Sequence, residues 1–286
     1  MRRTLADRFR ITNGRLDSEL TFDLNLPTSI LANFHYPYSF PSPPKTDNQI
    51  IRTNESEQHS WYYYLAEIAS RHLINRIVES QKRIGSDCTE ASIKWMLEEL
   101  DIFETQLQEW YASLPPWVTF PLPSADIGPL PNELSQFLRG RYLLTRELIY
   151  RPFVRVCVSQ PLDIPRYILS RVASVGSQGL QYCFYRLCCG IQSRHHGTWF
   201  QLRVWATCSL ILVAAARSKN QLLLNGASEL VFPSNWREKV LHTRNHLSKD
   251  YAHASGGTQD YVKLLDWATD FSTVDSSAPS RTHNNL

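Results

Sequence analysis

The chain has 286 residues, 43% of them hydrophobic, and a formal net charge of +3. That is enough to bury a sizeable core in one large domain or two small ones. With a pI near 8.5, the charge balance is too mild to point by itself to a nucleic-acid or membrane partner.

Met-Arg-Arg opens the chain with no apolar stretch behind it, so no secretory signal is expected. Residues 1–50 read as largely irregular and end in a proline-rich segment, YPYSFPSPPK from Tyr36 to Lys45, which cannot continue a helix. A helix is predicted across Ser60 to Ile77, SWYYYLAEIASRHLINRI. At 100° per residue, Leu65, Ile68 and His72 fall within about 40° of Trp61, while Tyr62, Leu73, Ile74, Ile77 and Val78 scatter round the other sides. A helix apolar nearly all round is a buried one, so Trp61, Leu65 and Ile68 are expected in the core. Trp61 to Tyr64 point in four directions and cannot make one flat base-stacking surface.

Asp87 and Glu90 have capping-box spacing. Downstream, Ile93, Leu97, Leu100, Phe103 or Leu107, Trp110 or Tyr111, and Leu114 recur in steps of three, four and seven, one helical face that Pro115-Pro116 ends. Glu98, Glu99 and Asp101 lie on its polar side. After a proline-dense loop, Leu114 to Pro131, the next helix is predicted from near Asn132 toward Tyr150, kinked or ended by Pro152. It carries Arg139, Arg141, Arg146, Arg151 and Arg155, with Glu147 the only acid among them. Such a row could hold phosphates. The interleaved Leu143, Leu144, Leu148, Ile149, Tyr150 and Phe153 form a core face instead. The arginines are therefore read as structural, pairing with carboxylates while their stems cover apolar surface. Arg141 and Arg151 are each expected to meet a carboxylate or a helix-end carbonyl.

Further helices are predicted at 165–192, 198–217, 235–254 and 258–271. Within the third of these four, His242 and His246 could share a metal on one face. They lie off the apolar face of Trp236, Val240, Leu247 and Tyr251, so they are read as solvated. His253, seven residues past His246, is about 10 Å further along the axis and cannot join them. His195-His196 fits a helix C-terminus. Val204 to Ala216 is an apolar run of thirteen residues, short of the roughly 20 that span a bilayer, and reads as a buried core helix.

The six cysteines, 88, 157, 183, 188, 189 and 208, make no Cys-x-x-Cys and no zinc-ligand spacing. A reducing compartment is expected, with Cys188-Cys189 as two small buried hydrophobes. Gly176-Ser177-Gln178-Gly179 has the wrong spacing for a nucleophile elbow, and no phosphate-cradling glycine loop occurs. Without strict period-two alternation the fold class is all-α, an irregular multi-helix bundle. It is organised as 1–50 irregular, 51–271 helical and 272–286 a disordered tail. No catalytic, cofactor-binding or metal-ligating residue is predicted, and the chain is not read as an enzyme.

Taken in order, PYSFPSPP, SWYYYLAEIASRHLINRI, LQEWYASLPP, LRGRYLLTRELIYRPF and RHHGTWFQLRVWATCSLILVAAARS resemble the regulatory region of fungal zinc binuclear cluster transcription factors, the fungal-specific transcription factor domain or middle homology region. The resemblance covers about residues 35–270 and is strongest where Trp-Tyr-x-Ser-Leu-Pro is followed by Arg-x-Arg-Tyr and Tyr-Arg-Pro-Phe. It implies an all-helical, nuclear domain that controls gene expression, at family level a metabolic or secondary-metabolite gene cluster. In that family DNA is held by a separate N-terminal module in which six cysteines bind two zinc ions. Here no cysteine precedes Cys88, so the expectation is a truncated regulator with no cofactor of its own, reaching DNA only through the missing module. Its expected partners are the transcription machinery, regulatory proteins or a second copy of itself, and no membrane. Two other readings stand beside this one: an interaction or dimerisation module with no DNA binding, and an α-helical enzyme with an unrecognised site.

Overall fold

The computed structural model describes residues 51–84, 89–124, 127–158, 164–190, 198–218, 230–251 and 257–270, with side chains from residue 58 onward and excluding that of residue 84. Seven helices fill most of this span: α1 Ile51–Ile84, α2 Glu90–Ala112, α3 Glu133–Val158, α4 Arg166–Cys188, α5 Thr198–Arg217, α6 Trp236–Asp250 and α7 Thr258–Thr269. Among the described residues there is no strand, and the fold is all-α. The chain divides into two compact units, Met1–Arg83 and Ile84–Leu286. The division falls inside the segment read from the sequence as one helical domain. The segments 1–50 and 272–286 lie outside the described residues, as do Asp87, Cys88, His195, His196 and His253.

In the first unit, α1 runs 34 residues without a glycine or proline, and Lys82 and Arg83 in its last turn suit the negative end of the helix dipole. Its buried side chains are Glu67, Ser70, Leu73, Ile77 and Ser80, spaced three, three, four and three apart. That stripe lies roughly 160° round the helix from Trp61. Trp61, Leu65 and Ile68 are only half-buried and His72 is exposed, which corrects the expected core face. Apolar residues on all sides left the sequence unable to fix which side closes. Small serines and a paired acid share the buried stripe, whereas Trp61 and Tyr62 meet edge to face at 4.9 Å with Tyr62 exposed. Glu67 is tolerated there because Arg71, one turn on, reaches its carboxylate at 3.1 Å.

In the second unit, α2 buries Ile93, Met96, Leu97, Leu100, Phe103, Leu107 and Trp110, the face its periodicity predicts. Thr89 caps it, accepting from the Ser92 amide at 3.2 Å. The proline-dense loop is tied to both flanking helices by side chains. The Tyr111 hydroxyl donates to the Phe120 carbonyl, Asn132 Nδ2 to that of Trp117 at 2.7 Å, and Arg139 to that of Gly128 at 2.7 Å. The Asn132 side chain also accepts from the Leu134 amide at the start of α3.

Pro152 does not end α3, which continues to Val158. The two turns beyond the proline bury Phe153, Val154, Val156 and Cys157, and that packing outweighs the lost hydrogen bond. They pack on α4 through glycines. A Cβ on Gly179 would stand 2.8 Å from Val154 Cγ2 and 3.1 Å from Tyr150 Cβ, and one on Gly176 would stand 3.0 Å from Cys157 Sγ. The Gly-x-x-Gly that fails as a nucleophile elbow is thus the close-approach point of two helices.

The central helix of this unit is α5, which packs against α3, α4, α6 and α7. It is 20 residues long and its most apolar 18-residue window has a mean hydropathy of 1.4, so by length and composition it could cross a membrane. Residues 198–203 extend it beyond the thirteen-residue apolar run. It buries Leu202, Trp205, Cys208, Leu212 and Val213 among its helical neighbours, the core role expected of it. Cys188 and Cys189 are half-buried rather than core, because α4 ends there.

Candidate functional site

The polar chemistry of the second unit gathers on α3. Glu147 is 1% exposed in the middle of that helix. Arg151, one turn on, grips it in a two-pronged pair, Nε to Oε1 and Nη2 to Oε2, both at 2.7 Å. Arg186 of α4 adds a third bond to Oε2 at 2.7 Å. Burial alone would push the Glu147 carboxyl up. Arg151, then Arg186, outweigh it and hold the carboxyl below its ordinary range. The Cys183 and Cys208 thiols lie beside this centre, both fully buried. Cys183 donates to the Cys208 sulfur, and that bond together with burial pushes the Cys183 thiol well up.

A second cluster surrounds Arg146. Its guanidinium reaches Glu104 of α2 and donates to the Tyr142 hydroxyl at 2.9 Å. It lies 5.2 Å from the Tyr142 ring centre and 5.7 Å from that of Tyr182. Tyr150 stacks on Tyr182 at 5.4 Å, and Phe120 and Tyr111 close on Tyr142. Burial, reinforced by the neighbouring phenols, pushes the Tyr142 hydroxyl far up. Burial also raises Tyr150 and Tyr182, against the pull of Arg146. All three phenols therefore act as neutral hydrogen-bonding groups.

The arginine row thus sorts as follows. Arg139 is buried and bonds the Gly128 carbonyl and the Gln136 side chain, while Arg146 and Arg151 each meet a carboxylate. Arg141 is half-buried and Arg155 exposed, and both engage partners. Arg151 does what the sequence predicts of it. With carboxylates answering Arg146 and Arg151 and a loop carbonyl engaging Arg139, these three act as joints of α2, α3 and the loop between them rather than as a phosphate cradle. Sequence reasoning missed Glu104 and Arg186, which lie about 40 residues from their partners. The only signal was an arginine at position 186 beside the apolar Leu187 and two cysteines.

On α6, Trp236, Val240, Leu247 and Tyr251 are buried as the periodicity predicts, with Thr243 between them. His242 is exposed, but His246 is half-buried, which corrects half of the solvated reading. The His246 ring lies 5.3 Å from that of Trp205 and 5.6 Å from that of Tyr251, and Nδ1 bonds the Asp250 carboxylate. Its ring centre is 6.4 Å from that of His242, with the planes 22° apart. Among the described residues no three His, Cys, Asp or Glu side chains converge to hold a metal.

Compared with known proteins, the chain matches no family model, no curated protein and no solved structure.

Proposed function

We propose that this chain is a transcription-regulatory domain of the fungal zinc-cluster type, acting in the nucleus on regulatory proteins or the transcription machinery. The observation that carries the reading is the ordered set of segments, strongest where LQEWYASLPP is followed by Leu138 to Phe153, LRGRYLLTRELIYRPF. The all-helical fold supports it, and so does the place of that segment. It is the stretch of α3 whose Arg146, Glu147 and Arg151 tie neighbouring helices together. In this reading the helices receive or transmit a regulatory signal, and DNA contact belongs to a zinc module of the family type.

An interaction module without transcriptional effect is the second reading. It is favoured by Trp267 and Leu264, which project 69% and 42% exposed from α7. Fusing the chain to an unrelated DNA-binding module upstream of a reporter separates the two. A several-fold change in reporter output over the DNA-binding module alone is the expected result. Unchanged output from a stably expressed fusion that still captures a partner favours the interaction module.

A further inference from the structure

We propose that His242 and His246 form a chelation site for a divalent transition-metal ion of the imidazole-preferring class, nickel(II), copper(II) or zinc(II), on the open side of α6. The inference rests on the geometry round His246, not on the spacing alone. Two imidazoles on one ion, with metal–nitrogen bonds of about 2.0–2.1 Å, hold their ring centres about 4.5 Å apart at a right angle and about 5 Å apart on a tetrahedron. The observed centres are 6.4 Å apart with the ring planes 22° apart, so the two rings reach one ion when the centres close by about 1.5–2 Å and the His242 ring turns to aim its lone pair at the same point. His242 is exposed and can make that movement without disturbing the core.

His246 is held ready. Its Nδ1 donates to the Asp250 carboxylate, so the neutral ring carries its lone pair on Nε2. A carboxylate behind a ligating histidine fixes the tautomer and raises its basicity as a ligand. The flanking Trp205 and Tyr251 rings limit its rotation, which reduces the entropy lost on binding. Glu238, His242, His246 and Asp250 follow one another at intervals of four, so an exposed carboxylate lies one turn to either side of the pair. Both favour a dication. With only two protein donors, water completes the coordination sphere. The ion is therefore exchangeable, unlike one in a closed four-ligand structural site.

The test is calorimetric titration of the whole chain with nickel(II) chloride, nickel being chosen for its affinity for imidazole. The tightest site should weaken at least tenfold in His242→Asn and in His246→Gln, and by a smaller factor in Asp250→Asn. Circular dichroism and the thermal midpoint confirm that each variant is folded. A second measurement needs no variant: diethyl pyrocarbonate labelling of the native chain, mapped by mass spectrometry with and without nickel(II). Slowing of at least tenfold at His242 and His246, with His59 and His72 unchanged, is the expected pattern. Folded single variants that bind as tightly as the native chain would overturn the proposal. So would a His242 labelling rate that nickel leaves unaltered.

Discussion

Glu147 is the residue on which most of the buried electrostatics turn. Its carboxylate answers two guanidiniums at once, so replacing it leaves both without their partner. Glu147→Gln is expected to cost about 3 kcal/mol, read as a fall in the denaturant midpoint at unchanged slope. Arg151→Ala should cost less, because Arg186 still meets the carboxylate and Arg151 is itself one-third exposed. The same centre sets an acid dependence. The carboxyl titrates lower in the folded chain than its ordinary 4.5, so its contribution is fully present above that value. It is lost as the pH falls through the folded value. Stability measured from pH 7 down to pH 3 should decline below about 4.5, and the Glu147→Gln variant should show a shallower decline.

At the scale of elements, the α3–α4 pair depends on what is missing from Gly179. An added methyl would stand 2.8 Å from Val154 and 3.3 Å from the Tyr150 carbonyl oxygen, which belongs to a helix backbone that cannot give way. Overpacking of this kind costs about 1–3 kcal/mol, against a gain in helix propensity of about 1 kcal/mol. Gly179→Ala should therefore be destabilising on balance. Gly140 is the control: it lies in α3, exposed, with nothing within 4 Å of a Cβ. Gly140→Ala should stabilise by roughly 0.5–1 kcal/mol. Thermal unfolding of the two variants should move in opposite directions.

The scale of the whole molecule is where the proposed function is tested most directly. The arginines of α3 are engaged within the fold. Base specificity requires contacts to base edges in a groove. The purified chain is expected to bind random duplexes weakly, with no preferred sequence. Titration at physiological salt checks this, and a dissociation constant tighter than about 10⁻⁸ M for one sequence over others would refute it.

The amino-acid sequence by itself determined the fold class, the core face of α2 and the bounds of α5. Periodicity on α2 named its core face correctly, and α5 begins and ends where its pattern says. Both depend on local backbone propensity and on one clear apolar stripe, which a short window contains. The buried side of α1 was decided elsewhere, because its apolar residues surround the helix and only packing selects among them. The survival of α3 past Pro152 likewise came from contacts with α4, which no local rule sees. So did the pairings of Glu147 with Arg186 and of Glu104 with Arg146, each joining residues about 40 apart. His246 shows the same divide. Spacing placed it one turn from His242, and only the fold brought Trp205 from another helix against its ring. Charge pairs and ring contacts act over a few ångströms in space, and the chain closes those distances only once its helices have packed.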